Sequence, residues 1–414
     1  MKMQEAKPTF YTLKNGLRVV HLKMPTHVAH FGVSIMAGSR FEGENEMGLA
    51  HLLEHCLFKF PEKFRLGQIF RSPMKIEELG GELNAFTDNE EICVYTSITN
   101  EHIAVGIKEV AQIIKNKKFP STEIEKEKEV IIDEINSYSD LPTDKIQLRF
   151  LKELFTNHPL GNPIAGTKES IEHISQEQLI RYKKNYFVAN NMVVSYVGPN
   201  DFEDILPLLA SNFSSIAAGK AQAVKSAGFH YQVFKIKEKQ NFSQTHVLIG
   251  GIAPHHKHKD RGGLTLLMNY LGGFSSNSKL GLILREEHGL TYSVEAETAS
   301  FMDAGYWSIY FATDKKNLAK ALELVYNELQ LICDKPISSP ILKIAKEQLK
   351  GNIALGLDSN AGLMMDLGKN YLFFNKIDSI EETYKVIDAI TAKDLLEIAK
   401  KYFSIEKCSE LIYS

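Results

Sequence analysis

The chain repeats itself, and that repeat limits its possible folds more than any other feature. Ile174 to Phe187 (ISQEQLIRYKKNYF) lines up with Ile390 to Phe403 (ITAKDLLEIAKKYF) at a constant offset of 216. Each stretch opens on a residue suited to cap a helix, Ser175 or Thr391. Its hydroxyl can accept from backbone N–H groups that the first turn leaves unpaired. A second echo, offset by 215, pairs Val94 to Ile98 and the helix through Ile103, Val110 and Ile114 with Ile309 to Thr313 and Leu318, Val325 and Leu329. Solenoid units recur every 20 to 50 residues or so, so a period this long means duplicated domains. Between the copies, residues 216–228 (IAAGKAQAVKSAG) are small and polar and read as a linker. The expected organisation is therefore a first domain over 1–215, the linker 216–228 and a homologous second domain over 229–414. Strand patterns at Leu17 to Leu22, His30 to Met36, Val193 to Val197 and His246 to Gly250 alternate with long helical patterns. That predicts an α+β fold, helices packed on a largely antiparallel sheet in each half.

Chemistry is concentrated in His51-Leu-Leu-Glu54-His55. On a helix, residues four apart share a face, so both imidazoles can converge on one ion. Glu54 sits at the edge of that face, within reach of a metal-bound water. The neighbours Leu49, Ala50, Leu52, Leu53, Cys56, Leu57 and Phe58 are apolar almost all round, which predicts a buried helix. Two imidazoles and a carboxylate in such a place need a compensating partner, and a metal supplies one.

A third ligand is expected from the helical run Glu123 to Ile135. Glu127 and Glu134 are seven apart and share a face, but lie about 10 Å apart along the axis, too far to bind one ion together. Ile131, Ile132 and Ile135 flank Glu134, which favours it as the ligand, whereas Glu127 lies in a lysine-rich, wetter stretch. Glu123, Glu125 and Glu129 read as a solvated face. The second copy has no H-x-x-E-H, and its helix from Pro340 to Ile353 carries only Glu347. His255, His256 and His258 lie in a Pro-Lys-Asp-rich turn and read as surface loop.

The net charge of −3 offers no electrostatic case for nucleic acid or a membrane surface, and no apolar run reaches the length of a membrane span. The first residues lack a hydrophobic signal core, so a cytoplasmic location is expected. Cys56, Cys93, Cys333 and Cys408 are scattered in apolar settings and read as reduced core thiols.

H-x-x-E-H is the inverted zincin signature, and with a glutamate pair downstream the sequence resembles the M16 family of zinc peptidases. This is the group of insulin-degrading enzyme, pitrilysin and the mitochondrial processing peptidase, in its short-chain branch. Seventy-eight residues separate His55 from Glu134, and Glu127-x6-Glu134 fits the family's spacing. Further matches are Gly80 to Thr87 (the edge strand that pairs with substrate), Leu271 to Ser276 (a loop) and Arg285 to Tyr292. Phe60-Pro61 and Phe64 to Lys75 depart from the family pattern. The resemblance implies one zinc ion per chain, held by His51, His55 and Glu134. It implies Glu54 as general base and Glu127 as a helper carboxylate, both catalytic. Asn84, Ala85 and Phe86 would bind the substrate backbone, and Arg285 and Tyr292 would grip a substrate carbonyl. The implied activity is that of a zinc endopeptidase acting on peptides or unfolded segments inside a clamshell of two chains. A homodimer is the simplest assembly and a heterodimer with a sister chain the alternative. The rival reading is a non-catalytic peptide-binding or scaffold subunit of such a complex.

Overall fold

A computed structural model of the chain describes residues 7–59, 74–219, 231–273 and 275–414. Phe60-Pro61, most of the departing stretch 64–75, the linker from residue 220 onward, and Phe274 lie outside these. Two sheets organise the described residues. The first takes the order β1 (Thr9–Thr12), β2 (Arg18–Lys23), β6 (Met192–Gly198), β3 (Val28–Ile35), β5 (Ile92–Thr99), β4 (Glu82–Thr87). The second takes the order β7 (Lys235–Glu238), β11 (Ser409–Tyr413), β8 (Thr245–Ile252), β10 (Gly305–Thr313), β9 (Thr291–Ser300). The two orders superimpose strand for strand once β1 is set aside. Each sheet is antiparallel apart from one parallel pair, β2 with β6 and β7 with β11. This is the largely antiparallel α+β architecture expected from the sequence.

The principal helices, labelled in chain order, are α1 (Leu49–Leu57), α2 (Ile103–Lys115), α3 (Ser121–Asp140), α4 (Pro142–Leu154), α5 (Gln176–Tyr186), α6 (Arg261–Gly272), α7 (Leu318–Asp334), α8 (Ser339–Gly356), α9 (Asn360–Phe374) and α10 (Ala392–Tyr402). The sequence echoes fall on α5 with α10 and on β5–α2 with β10–α7. Both Ser175 and Thr391 cap their helices through capping boxes, completed by Gln178 and Asp394.

Packing divides the chain into two units that exchange segments. One comprises Met1–Asn136, Asn162–Lys225 and Gly356–Ile377; the other comprises Ser137–Gly161, Ser226–Leu355 and Asp378–Ser414. A cut at the linker alone would strand two equivalent helices. α4, from the first half of the sequence, packs Ile146, Phe150 and Leu154 against Leu248, Leu411 and Tyr413 of the second sheet. α9, from the second half, packs Met364, Leu367, Tyr371 and Leu372 against Val20, Leu22, Val193 and Val197 of the first. The cause lies in the central strands: every residue of β6 is buried, and all but the last of β8. A strand buried on both faces needs a layer on each side.

α9 also brings Lys369 to the β4–β5 turn, where its amine lies 3.2 Å from Asp88 and 3.9 Å from Glu91. Glu91 is 1% exposed, and one of its carboxyl oxygens has no hydrogen-bond partner. Burial pushes its pKa up to about 7 from the ordinary 4.5, against the opposing pull of Lys369. Between those two pH values the folded chain holds a proton that the unfolded chain has released, so stability falls as pH rises through the window. The shift corresponds to about 3 kcal/mol. Glu91→Gln cannot ionise, so its urea-unfolding stability relative to the parent should rise by about that amount between pH 4.5 and 7. A gap independent of pH would contradict this account.

Candidate metal centre

α1 begins abruptly. Gly48 sits at φ 88°, a left-handed conformation, and no side chain of its own caps the helix. A Cβ there would come within 2.5 Å of Ile171 and 2.7 Å of the Ala165 carbonyl, so only glycine fits. The missing cap comes from Glu42, whose two oxygens accept from the Gly48 N–H (3.1 Å) and the Ala50 N–H (2.8 Å). Burial drives the Glu42 carboxyl well above its ordinary pKa, although these backbone donors oppose it. Glu42 was not legible as functional in the sequence, since nothing in its spacing marks it.

Leu49, Ala50, Leu52, Leu53, Cys56 and Leu57 are all buried, which leaves His51, Glu54 and His55 as the partly exposed positions of the helix. From α3, Glu134 faces both rings: its Oε2 lies 3.8 Å from His51 Nε2 and 4.0 Å from His55 Nε2. One ligating atom from each of the three residues lies within 4.8 Å of the others, and they form a group able to hold a metal ion. A tetrahedral zinc ion with bonds of about 2.0 Å sets its ligands about 3.3 Å apart. The two distances to Glu134 exceed that spacing by less than 1 Å. Burial, together with the neighbouring His55, lowers the His51 pKa to about 4, Glu134 only partly offsetting this. His51 is therefore neutral at physiological pH, the form a metal requires.

Glu127 shares the face of α3 but does not join that group. Its Oε2 is 3.1 Å from His55 Nδ1, the ring nitrogen on the far side from Glu134, and its Oε1 is 2.7 Å from Lys59 Nζ. The burial expected from sequence is reversed here. The Glu127 side chain is 9% exposed and that of Glu134 30%. Neighbouring lysines along α3 suggested a wet site, but it is Lys59, next to α1, that covers Glu127. Burial weakens the Glu127 acid, yet His55 and Lys59 outweigh it and hold its pKa below the ordinary value. For His55, burial is outweighed by the Glu127 hydrogen bond and the nearby carboxylates, and its pKa rises.

Glu54 accepts a 2.8 Å hydrogen bond from the Thr87 hydroxyl, at the end of β4. Burial raises its pKa, with Thr87 and His55 opposing and Glu134 assisting, which makes the carboxylate a stronger base. Asn84, Ala85 and Phe86 lie on β4, an edge strand of the first sheet that, among the described residues, pairs only with β5. Among those residues no strand occupies its outer edge, the side to which a further strand adds. In the second unit Arg285 lies on a short π-helical turn, Leu282–Glu287, and its guanidinium carbon sits 5.9 Å from the Tyr292 ring centre. Tyr292, on edge strand β9, is 88% exposed.

Among the described residues, the second unit repeats the frame without the candidate ligands. Asn269 on α6 and Asn352 on α8 stand 218 residues after His51 and Glu134, and the Asn352 amide donates to the Asn269 side-chain oxygen at 2.9 Å. A neutral amide pair joins the two helices there. All four cysteines are buried and unpaired, and burial pushes the Cys56 and Cys408 thiols up to about 12. Among the described residues no helix is long and apolar enough to cross a membrane.

Comparison with known proteins bears on the whole chain. Residues 18–168 match the model of the insulinase family, peptidase family M16, and residues 173–349 match that of the M16 inactive domain. An uncharacterised zinc protease of Bacillus subtilis, YmxG, is 31% identical over 97% of both chains. A second, from Mycobacterium leprae, is 33% identical over 94% of this chain and 87% of its own. A protease of Helicobacter pylori, 20% identical, superimposes with a TM-score of 0.88 over 99% of this chain and 100% of its own, a likeness that bears on fold alone. The H-x-x-E-H helix, the duplicated sheets and these matches lead to one assignment: the chain belongs to the M16 family of peptidases.

Proposed function

We propose that the protein is a zinc-dependent endopeptidase acting on peptides or unfolded segments, with its metal held by His51, His55 and Glu134. The observation that carries this reading is the convergence of these three side chains from two helices, beside a carboxylate, Glu54, that is not spent on the metal group. Zinc bound there would lower the pKa of its water to about 7 and polarise the scissile carbonyl. Glu54 would take the proton from the attacking water and return it to the leaving amine. Thr87 steadies the Glu54 carboxylate. The outer edge of β4 at Asn84 to Phe86 would receive substrate as an added strand, through main-chain hydrogen bonds that ask little of its sequence. Arg285 and Tyr292 would donate to a substrate carbonyl as negative charge develops on it. Glu127 acts through His55 and is a positioning residue in this scheme. Assembly as a homodimer, or with a sister chain, completes the proposal.

Glu54→Gln should retain stoichiometric zinc and lose at least about a thousandfold in kcat on a quenched peptide; near-normal turnover would remove Glu54 as the base. His51→Ala should lose the metal by elemental analysis, and one zinc per chain in that variant would rule out this ligand set. Tyr292→Phe should keep its zinc and lower kcat by about tenfold to a hundredfold. If the zinc-loaded parent cleaves nothing in a mixed peptide pool, with or without a chelator, the chain is a non-catalytic subunit instead.

A further inference from the structure

We propose that Lys59 is a positioning residue for the metal centre, holding Glu127 in the one orientation that fixes the ring of His55. The inference deepens the reading above and rests on its assignment of His55 as a ligand. Lys59 follows His55 by four residues, one residue past the helix C-cap, so both side chains leave the same side of α1. Its amine is 2.7 Å from Glu127 Oε1, and the other oxygen of that carboxylate is 3.1 Å from His55 Nδ1. The array therefore runs from Lys59 through Glu127 to His55, whose Nε2 faces Glu134.

Each link has a physical requirement. A neutral imidazole that offers Nε2 to a metal carries its proton on Nδ1 and needs an acceptor there to fix both tautomer and ring plane. A carboxylate bonded through one oxygen can still turn about its last carbon–carbon bond. Bonded through both, to partners on opposite sides, it cannot. The Glu127 side chain is 9% exposed and, with Lys59 and His55, lines a cavity of about 240 Å³, so a water there could bond one oxygen but would not supply the charge of Lys59. Without Lys59, the carboxylate would be held through one oxygen only and would turn away from His55. That frees the His55 ring. Lys59 itself is 31% exposed, and so is not simply core packing.

A double-mutant cycle on the full chain tests this, with zinc dissociation constants read by competition against a chromogenic chelator. Lys59→Met should weaken zinc binding by about tenfold, the lower end of what loss of an outer-shell partner costs. Lys59→Arg, which keeps the charge, should recover most of it. In a Glu127→Gln background, Lys59→Met should change the constant by less than about twofold, because the carboxylate it acts through is gone. An unchanged zinc constant in Lys59→Met, or an equal tenfold loss when Glu127→Gln is already in place, overturns the proposal. If the Lys59→Met variant does not fold by circular dichroism, Lys59→Gln takes its place with the same criteria. Zinc affinity is read without peptide, so a chain that binds zinc but cleaves nothing would sink the peptidase reading and leave this one standing.

Discussion

Burial of one side of α1 is the constraint on which the candidate metal centre depends. Leu49, Leu52, Leu53 and Leu57 sink into the same cluster as Val33, Ile35, Ile92 and Val94 of the sheet. Each such leucine contributes about 1.5–3 kcal/mol on leaving water. That packing fixes the rotation of the helix about its axis, and so aims the opposite side, His51, Glu54 and His55, at α3 and the end of β4. Glu42 and the left-handed Gly48 hold the start of the helix against the same core. The imidazoles are then held in a poorly solvated place, where His51 stays neutral and available to a metal.

The duplicated fold separates scaffold from chemistry. Both units build the same strand order, β1 aside, yet among the described residues only the first brings imidazoles and a carboxylate together between two helices. In the second, Asn269 and Asn352 make a neutral hydrogen bond between α6 and α8. A neutral pair keeps the helices joined without the desolvation cost of charged groups that have no ion to bind. The exchange of α4 and α9 between the units follows from sheets whose central strands are apolar on both faces. Each copy lends the helix that covers the other's second face.

Much of this was legible along the chain. The offsets of 216 and 215 locate α5 with α10 and β5–α2 with β10–α7, because capping residues and apolar periodicity are local signals. The i, i+4 spacing of His51 and His55 places both rings on one face for the same reason. Glu134 is the carboxylate that lies beside both rings, but the burial argument that favoured it from sequence does not hold: Glu127 is the more enclosed of the two. No window on α3 could show this, because the residue that covers Glu127 is Lys59. The i+4 spacing from His55 to Lys59 was available as a hint, whereas Glu42 and the Thr87 hydroxyl on Glu54 left none.

The sequence by itself determined the two-copy α+β architecture, the H-x-x-E-H helix and the absence of that motif from the second copy. These are matters of spacing and residue type, written in stretches a few turns long. Only the tertiary structure decided which carboxylate meets the two rings, which one braces His55 from behind, and which unit each of α4 and α9 covers. Those outcomes depend on distant segments meeting where water is scarce. There a charge must find a partner, and an apolar face must find a cover, wherever along the chain these happen to be encoded.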